Sequence, residues 1–192
     1  AAVHVDEVVS GSAASLTGDT PAVEVREKVA GFPSYTGTYT PATTGQYTLA
    51  VRQLERGGLR ADYFDNQWLL QSPVISRIDP TVDFDWGQGL ITHYGRDYVS
   101  ARWTGKLVPQ YDEQYTLYLF ADEGVRMWLD HVKVIDAWGT PSQEVRFSTR
   151  LSTTKFHDIR IEYKEQKGPA SVRLQWSSFS QPKQIVPATA LY

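Results

Sequence analysis

Apolar residues recur at every second position along much of this chain, and this spacing constrains the fold more than any other feature. The clearest runs of alternate residues are Val125, Met127 and Leu129; Ile159, Ile161 and Tyr163; and Val172, Leu174 and Trp176. Successive side chains of a β-strand point to opposite faces of its sheet, so each run marks one face of a strand. No window of helix length sustains a 3.6-residue period. We therefore predict an all-β protein.

The strand-like runs are short and are separated by clusters of Gly, Pro, Asp and Ser, which is typical of an antiparallel β sandwich. Aromatic residues support a dense core in one part only. Of the six Trp, 11 Tyr and 7 Phe, residues 1–56 hold four and no Trp, whereas residues 57–192 hold all the others. Because aromatic side chains favour pleated strands and bury large areas, we expect the main β core within residues 57–192.

Charge and composition exclude several classes of function. The net charge is −3, so the chain lacks the basic character of a nucleic-acid binder. It has no cysteine, which excludes disulfides, thiolate zinc sites and a cysteine nucleophile. No apolar run approaches the roughly 20 residues that span a bilayer, so we expect no transmembrane segment. The start of the chain does not have the pattern of a signal peptide.

A domain boundary is predicted near Gly57, which gives residues 1–56 and 57–192 as the two parts. Before the boundary, GTYTP at 37–41 and GQYTLAV at 45–51 predict two strands joined by a turn. This segment, about 35–51, resembles the end of a filamin-type immunoglobulin-like repeat. Such a repeat needs about 100 residues, and no earlier strand is indicated beyond Ala22–Val25. Residues 1–56 are therefore interpreted as a partial filamin/Ig-like repeat or as an N-terminal arm of the main domain.

The remainder of the chain resembles a PA14 domain. Several segments match that family in the right order: GLRADYFDN at 58–66, IDPTVDFDWG at 78–87, VSARWTG at 99–105, ADEGVRMWLD at 121–130, IEYKE at 161–165 and ASVRLQW at 170–176. The resemblance implies a two-sheet antiparallel β sandwich, which agrees with the periodicity. The predicted fold is therefore a PA14-like antiparallel β sandwich preceded by the short N-terminal β segment described above.

The resemblance also points to a calcium site. In sugar-binding branches of the family, two adjacent Asp residues chelate Ca²⁺, which then holds vicinal sugar hydroxyls; here the pair is Asp122 and Glu123. Calcium takes six to eight oxygen ligands, and paired carboxylates supply both charge and donors. Further ligand contacts would come from the loop at Gln166 and Lys167. The alternative is that Asp122 only forms the turn by accepting hydrogen bonds from backbone amides.

Two tryptophans lie in loop-like sequence and are candidate stacking platforms for a sugar. These are Trp68 and Trp138, with Tyr94 as a further exposed aromatic residue; core packing is the alternative for both tryptophans. The tryptophans inside strand-like runs are predicted to be core residues: Trp86, Trp103, Trp128 and Trp176. Asp130 and His131 occupy a tight hairpin turn, so His131 is interpreted as a turn residue and not as a ligand.

Evidence for catalysis is weak. Asp83 and Asp85 are predicted to lie on one face of a strand, roughly 7 Å from each other. This separation is compatible with the carboxylate pair of an inverting glycosidase, but no other catalytic group accompanies them. The four histidines have no zinc-ligand spacing. We therefore predict that the chain is not an enzyme.

The sequence is compatible with two functions. The first is a non-catalytic carbohydrate-binding or adhesion module of a larger extracellular or cell-surface protein, assisted by Ca²⁺. The second is a structural module in a multidomain or filamentous extracellular assembly, without sugar binding. The expected partners are accordingly a glycan or neighbouring protein modules, including like chains joined through open sheet edges.

Overall fold

The computed structural model of the chain describes residues 2–9, 24–27, 35–38, 47–139 and 143–192. The chain divides into two compact units, Ala1–Glu55 and Arg56–Tyr192. No helix in the described part of the chain is long and apolar enough to cross a membrane.

The described residues of the first unit form four strands: β1 (Ala2–Val9), β2 (Glu24–Glu27), β3 (Tyr35–Thr38) and β4 (Tyr47–Leu54). Strands β3 and β4 fall on the two segments that the sequence predicts as strands. However, β3 pairs with β2 and β4 pairs with β1, both antiparallel. The sequence prediction missed β1. The predicted turn within residues 39–46 lies outside the described residues, so the filamin-type interpretation stays a prediction.

The second unit is an antiparallel β sandwich, which confirms the predicted fold class. Its strands are β5 (Leu59–Phe64), β6 (Ile75–Asp79), β7 (Asp83–Gly87), β8 (Val99–Leu107), β9 (Gln114–Ala121), β10 (Gly124–Leu129), β11 (Val132–Ala137), β12 (Gln143–Arg150), β13 (His157–Glu165), β14 (Ala170–Ser178) and β15 (Gln184–Ile185). One sheet has six strands in the order β11-β10-β13-β8-β5-β6. The other has the order β12-β9-β14-β15, and β7 also pairs with β14.

The inner faces of the two sheets enclose the core, and every second side chain of each strand points into it. Trp103 and Trp176 are fully buried, as predicted. Trp86 is half-buried and stacks on Phe84 with ring centroids 4.9 Å apart. The prediction of a core position for Trp128 is wrong. Its neighbours on β10 face inward, so Trp128 faces outward and lies half-buried on the outer face of the six-stranded sheet.

The β10–β11 hairpin turns through Asp130 and His131, whose φ angles are 48° and 66°. Two successive positive φ values are typical of a type I′ turn, in which Gly is strongly preferred at the second position. The His131 side chain is 86% exposed, and its Nε2 lies 3.5 Å from Oδ2 of Asp158. Such an exposed contact contributes little stability, so His131 occupies a strained turn position without strong compensation.

The His131→Gly substitution is therefore expected to stabilise the protein by about 1 kcal/mol, because glycine adopts positive φ without steric cost. Thermal and urea unfolding of the full chain would measure the gain. His131→Ala is the control, because it removes the imidazole but keeps the Cβ atom, and it should give no such gain. An equal gain from both variants would show that the side chain, and not the backbone angle, is unfavourable.

The strand registers give the sandwich two distinct ends. Phe64 pairs with Ser100, Glu165 with Val99, and Gly124 with Lys164, so the adjoining loops meet at one end. We call this the loop end; its described loops are 65–74, 88–98, 122–123, 138–139 and 166–169. The chain enters and leaves the sandwich at the opposite end, where Gly57 donates a backbone hydrogen bond of 2.9 Å to Leu191. The loop end and the end that holds Gly57 and Leu191 are therefore opposite ends of this unit.

Candidate functional site at the loop end

The loop end contains every residue that the sequence singles out for binding. Asp122 and Glu123 form the turn between β9 and β10, whereas Gln166 and Lys167 follow β13. Trp68 lies between β5 and β6, and Trp138 follows β11. These residues come from four separate connections along the chain.

Asp122 is a structural acceptor in this turn. Its Oδ1 accepts a hydrogen bond of 2.7 Å from the backbone N–H of Ser171 and one of 3.0 Å from the Tyr163 hydroxyl. The backbone N–H of Asp122 in turn donates to the carbonyl of Ser171, at 3.2 Å. These bonds tie the β9–β10 turn to the start of β14. They match the turn-forming alternative for Asp122, with its Oδ1 already engaged by two donors.

Glu165 is a part of the site that the sequence analysis missed. Its side chain is fully buried, its Oε2 lies within hydrogen-bond distance (2.7 Å) of the Tyr163 hydroxyl oxygen, and Oε1 has no hydrogen-bond partner among the described residues. Burial, together with the neighbouring carboxylate of Asp122, raises the pKa of Glu165 to about 8. The carboxyl group is therefore largely protonated at pH 7. Continuing the alternation of Ile159, Ile161 and Tyr163 by two residues would have placed Glu165 on the core face.

The β13–β14 loop is fastened to its neighbours by backbone contacts. The N–H of Tyr98 donates to the carbonyl of Gln166 at 3.0 Å, and the N–H of Lys167 contacts Oε1 of Glu123 at 3.4 Å. The Lys167 ammonium lies 5.4 Å from the centre of the Tyr98 ring. Its hydrogen bond to Tyr98 raises the pKa of Lys167, so this cation remains charged. Glu123, Lys167 and Tyr98 therefore form one surface, which carries a carboxylate, an ammonium group and an aromatic ring.

Trp68 is presented to solvent on an ordered loop. Its side chain is 63% exposed. The side-chain Oδ1 of Asn66 accepts hydrogen bonds of 3.1 Å from the N–H groups of both Trp68 and Leu70. The Ser100 hydroxyl donates to the carbonyl of Asn66 at 2.6 Å and thereby fixes the loop to β8. The core alternative for Trp68 is excluded by this exposure.

Trp138 has a different environment, because cations cover its ring. The Arg126 guanidinium carbon lies 4.1 Å from the ring centre, and the Lys164 ammonium lies 5.3 Å away. Trp138 is half-buried. Its ring is therefore a support for two positive charges and not an open stacking platform.

Exposed apolar side chains concentrate at the loop end. Among the described residues ten large apolar side chains are exposed, and six of them belong to these loops: Trp68, Leu70, Val74, Leu90, Tyr94 and Tyr98. Tyr94 is 90% exposed. Exposed aromatic rings flanked by carboxylates, amides and an ammonium can stack on the C–H face of a sugar while polar groups bind its hydroxyls.

The two carboxylates considered for catalysis have structural partners elsewhere on the sandwich. Oδ1 of Asp83 accepts a hydrogen bond of 2.8 Å from Nε of Arg173, and Oδ1 of Asp85 accepts one of 3.1 Å from the N–H of Gly87. Both side chains belong to β7 and are exposed. They stabilise the β7 region of the sheet by cross-strand and turn contacts.

Comparison with known proteins agrees with the fold and the resemblance. The PA14 domain family model matches residues 55–190. The chain is 43% identical over 144 residues to the anti-sigma-I factor RsgI3 of Acetivibrio thermocellus, a match that covers 74% of this chain and 22% of that protein. The structure of an anti-sigma factor domain-containing protein from Clostridium clariflavum is 41% identical, with a TM-score of 0.67, over 71% of this chain and 47% of that one.

A more distant structure shares the fold alone. The PA14 sugar-binding domain from an RTX adhesin is 16% identical, with a TM-score of 0.59, and the match covers 71% of this chain and 98% of that domain. The chain thus corresponds to about a fifth of the curated relative and to nearly the whole of the isolated adhesin domain.

Proposed function

Because the chain belongs to the PA14 domain family, we propose that it is a non-catalytic carbohydrate-binding module of a longer extracellular or cell-surface protein. The module binds its glycan at the loop end of the sandwich. Relatives of this fold include a sugar-binding domain of an adhesin, and the anti-sigma-I factor that the chain resembles is several times longer than the matched region.

The observation that carries the proposal is the exposed aromatic surface of the loop end. Trp68 and Tyr94 offer open rings, whereas Glu123, Gln166 and Lys167 supply acceptors and donors at the same end. Exposing large aromatic side chains to water is unfavourable, so their concentration on ordered loops favours a ligand-binding role. Their anchoring limits the conformational entropy that binding would cost.

Calcium is not required by this proposal. Among the described residues no three acidic or histidine side chains are arranged to hold a metal ion. Asp122 Oδ1 already accepts two hydrogen bonds, and the Lys167 ammonium brings a positive charge to the same end. This donor set does not fit a calcium cage as it stands. The calcium prediction is tested by a thermal shift with millimolar Ca²⁺, since a bound ion would raise the unfolding temperature.

The Trp68→Ala variant tests the proposal directly. We expect the full chain to bind one or more members of a panel of plant and microbial polysaccharides, and Trp68→Ala to weaken that binding at least about tenfold, or about 1.4 kcal/mol. The control is Phe179→Ala, which removes an aromatic ring that is 98% exposed at the opposite end, and this variant should bind like the wild type. Equal losses in both variants would contradict binding at the loop end.

A second candidate is a protein-interaction or structural module without sugar binding. The similarity to a segment of an anti-sigma-I factor favours it, because that name denotes a protein that acts on another protein. A chain that binds no glycan in the panel, but self-associates or captures a neighbouring module of its parent protein, would favour this candidate over the first.

A further inference from the structure

A compact group of basic and aromatic residues lies on the outer face of the six-stranded sheet. We call it the basic row; it consists of Arg102, Arg126, Trp128, Trp138, Arg160, Glu162 and Lys164. Its members come from β8, β10 and β13 and from the residue that follows β11. The register places Arg126 and Arg102 on either side of Glu162, on neighbouring strands.

The basic row has more positive than negative charge. The buried carboxylate of Glu162 accepts hydrogen bonds of 2.6 Å from Nε of Arg126 and 2.9 Å from Nε of Arg102, and Nε of Arg160 lies 3.8 Å away. Three guanidinium groups thus surround one carboxylate. With Lys164 added, the basic row has an excess of three positive charges on a chain whose net charge is −3. The other ion pairs of this face are balanced: Arg60 with Asp62, Lys106 with Asp158, and Lys133 with Asp136.

Aromatic rings, in place of carboxylates, hold part of this excess charge. The guanidinium carbon of Arg160 lies 3.7 Å from the centre of the Trp128 ring, while Arg126 and Lys164 approach Trp138. A cation over a ring is held in place without losing its charge or all of its N–H donors. The Arg160 side chain is 43% exposed, so its remaining donors can reach a carboxylate in solution.

The basic row continues directly into the loop end. The Lys164 stem crosses Gly124, the residue after Glu123, so closely that a Cβ atom there would lie 2.4 Å from its Cε and 2.5 Å from the Trp138 carbonyl oxygen. Gly124 thus provides space for the contact, and its lack of a side chain brings Lys164 and Trp138 beside the β9–β10 turn. A polymer that extends from the loop end along the outer face of the six-stranded sheet would therefore meet these cations.

We infer that the glycan bound by this module is acidic, and that carboxylate groups along the polymer pair with Arg160, Lys164 and Arg126 of the basic row. This inference rests on the proposed function, because the loop end supplies the contacts to the sugar rings. Planar guanidinium groups match carboxylates in geometry, and an excess of three charges favours a polyanion over a neutral polymer.

The test compares polygalacturonate, a polymer of uronic acid, with neutral galactan, using the full chain and the double variant Arg160→Gln/Lys164→Gln. We expect the wild type to prefer polygalacturonate, the double variant to bind it at least tenfold more weakly, and added salt to reduce the difference. The matched control is Lys183→Gln, which removes a cation lying 4.2 Å from the Tyr118 ring on the other sheet and should leave binding unchanged.

The outcomes separate this inference from the proposed function. Binding to galactan equal to or stronger than that to polygalacturonate, with loss only in Trp68→Ala, would overturn the acidic ligand and leave the carbohydrate module intact. Binding to polyglutamate or DNA as strong as that to polygalacturonate would also overturn it, because the surface would then select charge alone. Failure to bind either of these two polysaccharides would overturn the acidic ligand, whereas failure to bind any member of the polysaccharide panel would overturn the proposed function as well.

Discussion

The Asp79→Ala substitution is expected to destabilise the sandwich by about 4 kcal/mol, the largest effect that we predict. Asp79 is 3% exposed, and Oδ2 accepts hydrogen bonds of 2.5 Å from the Tyr63 hydroxyl and 2.9 Å from Nε1 of Trp103. Its Oδ1 accepts one of 2.7 Å from Nε of Arg77. Removing the carboxylate leaves two buried donors unpaired, and each such group costs about 1–3 kcal/mol.

Chemical denaturation, with tryptophan fluorescence as the probe, measures this loss in the full chain. Asp83→Ala is the matched control, because it removes a carboxylate from an exposed ion pair, which contributes less than about 1 kcal/mol. Equal stabilities of the two variants would contradict the assignment of Asp79 as the buried acceptor for both aromatic side chains.

The Glu165→Gln substitution is expected to act in the opposite direction and only at higher pH. The pKa of Glu165 is raised from 4.5 to about 8 in the folded protein. Between pH 4.5 and about pH 8 the folded chain keeps a proton on Glu165 that the unfolded chain releases. The contribution of this group to the free energy of unfolding is therefore fully present below pH 4.5 and is lost as the pH rises through about 8. Glutamine resembles the protonated acid, so the variant should exceed the wild type by roughly 2–4 kcal/mol at pH 8.5 and match it near pH 4.5.

Unfolding experiments at several pH values, in the presence of a chelator, would measure this difference. The control is Glu144→Gln, an exposed glutamate paired with Lys183, which should show no comparable gain at pH 8.5. A wild type whose stability does not decline relative to Glu165→Gln between pH 5 and pH 8.5 would contradict a protonated Glu165 beside Asp122.

Periodicity alone predicts much of the sandwich. Val125, Met127 and Leu129 are buried on one face of β10, as the alternation requires. The same rule places Trp128 outside, although its hydrophobicity favours the core. On β6 hydropathy predicts the wrong residue for the core, since Ile78 is 61% exposed and Asp79 is buried. Hydropathy cannot identify such positions, because the burial of Asp79 depends on donors from β5 and β8 that are distant in sequence.

The candidate site could be predicted in its parts but not in its arrangement. Loop-like sequence identifies Trp68, and the family resemblance identifies Asp122, Glu123, Gln166 and Lys167. Their convergence depends on strand pairing between distant segments. The cations that cover Trp138 come from β10 and β13, so no local pattern distinguishes this covered ring from the open ring of Trp68. Glu165 was missed because a charged residue at a strand end is usually solvated.

The most direct test of glycan binding at the loop end is the ¹⁵N–¹H spectrum of the tryptophan side chains during titration with a polysaccharide that the full chain binds. The chain has six tryptophans, so six indole signals report on different parts of the molecule. We predict that the signals of Trp68 and Trp138 move on binding, whereas those of the buried Trp103 and Trp176 do not. Saturable binding that leaves the Trp68 signal unmoved would contradict the proposed site.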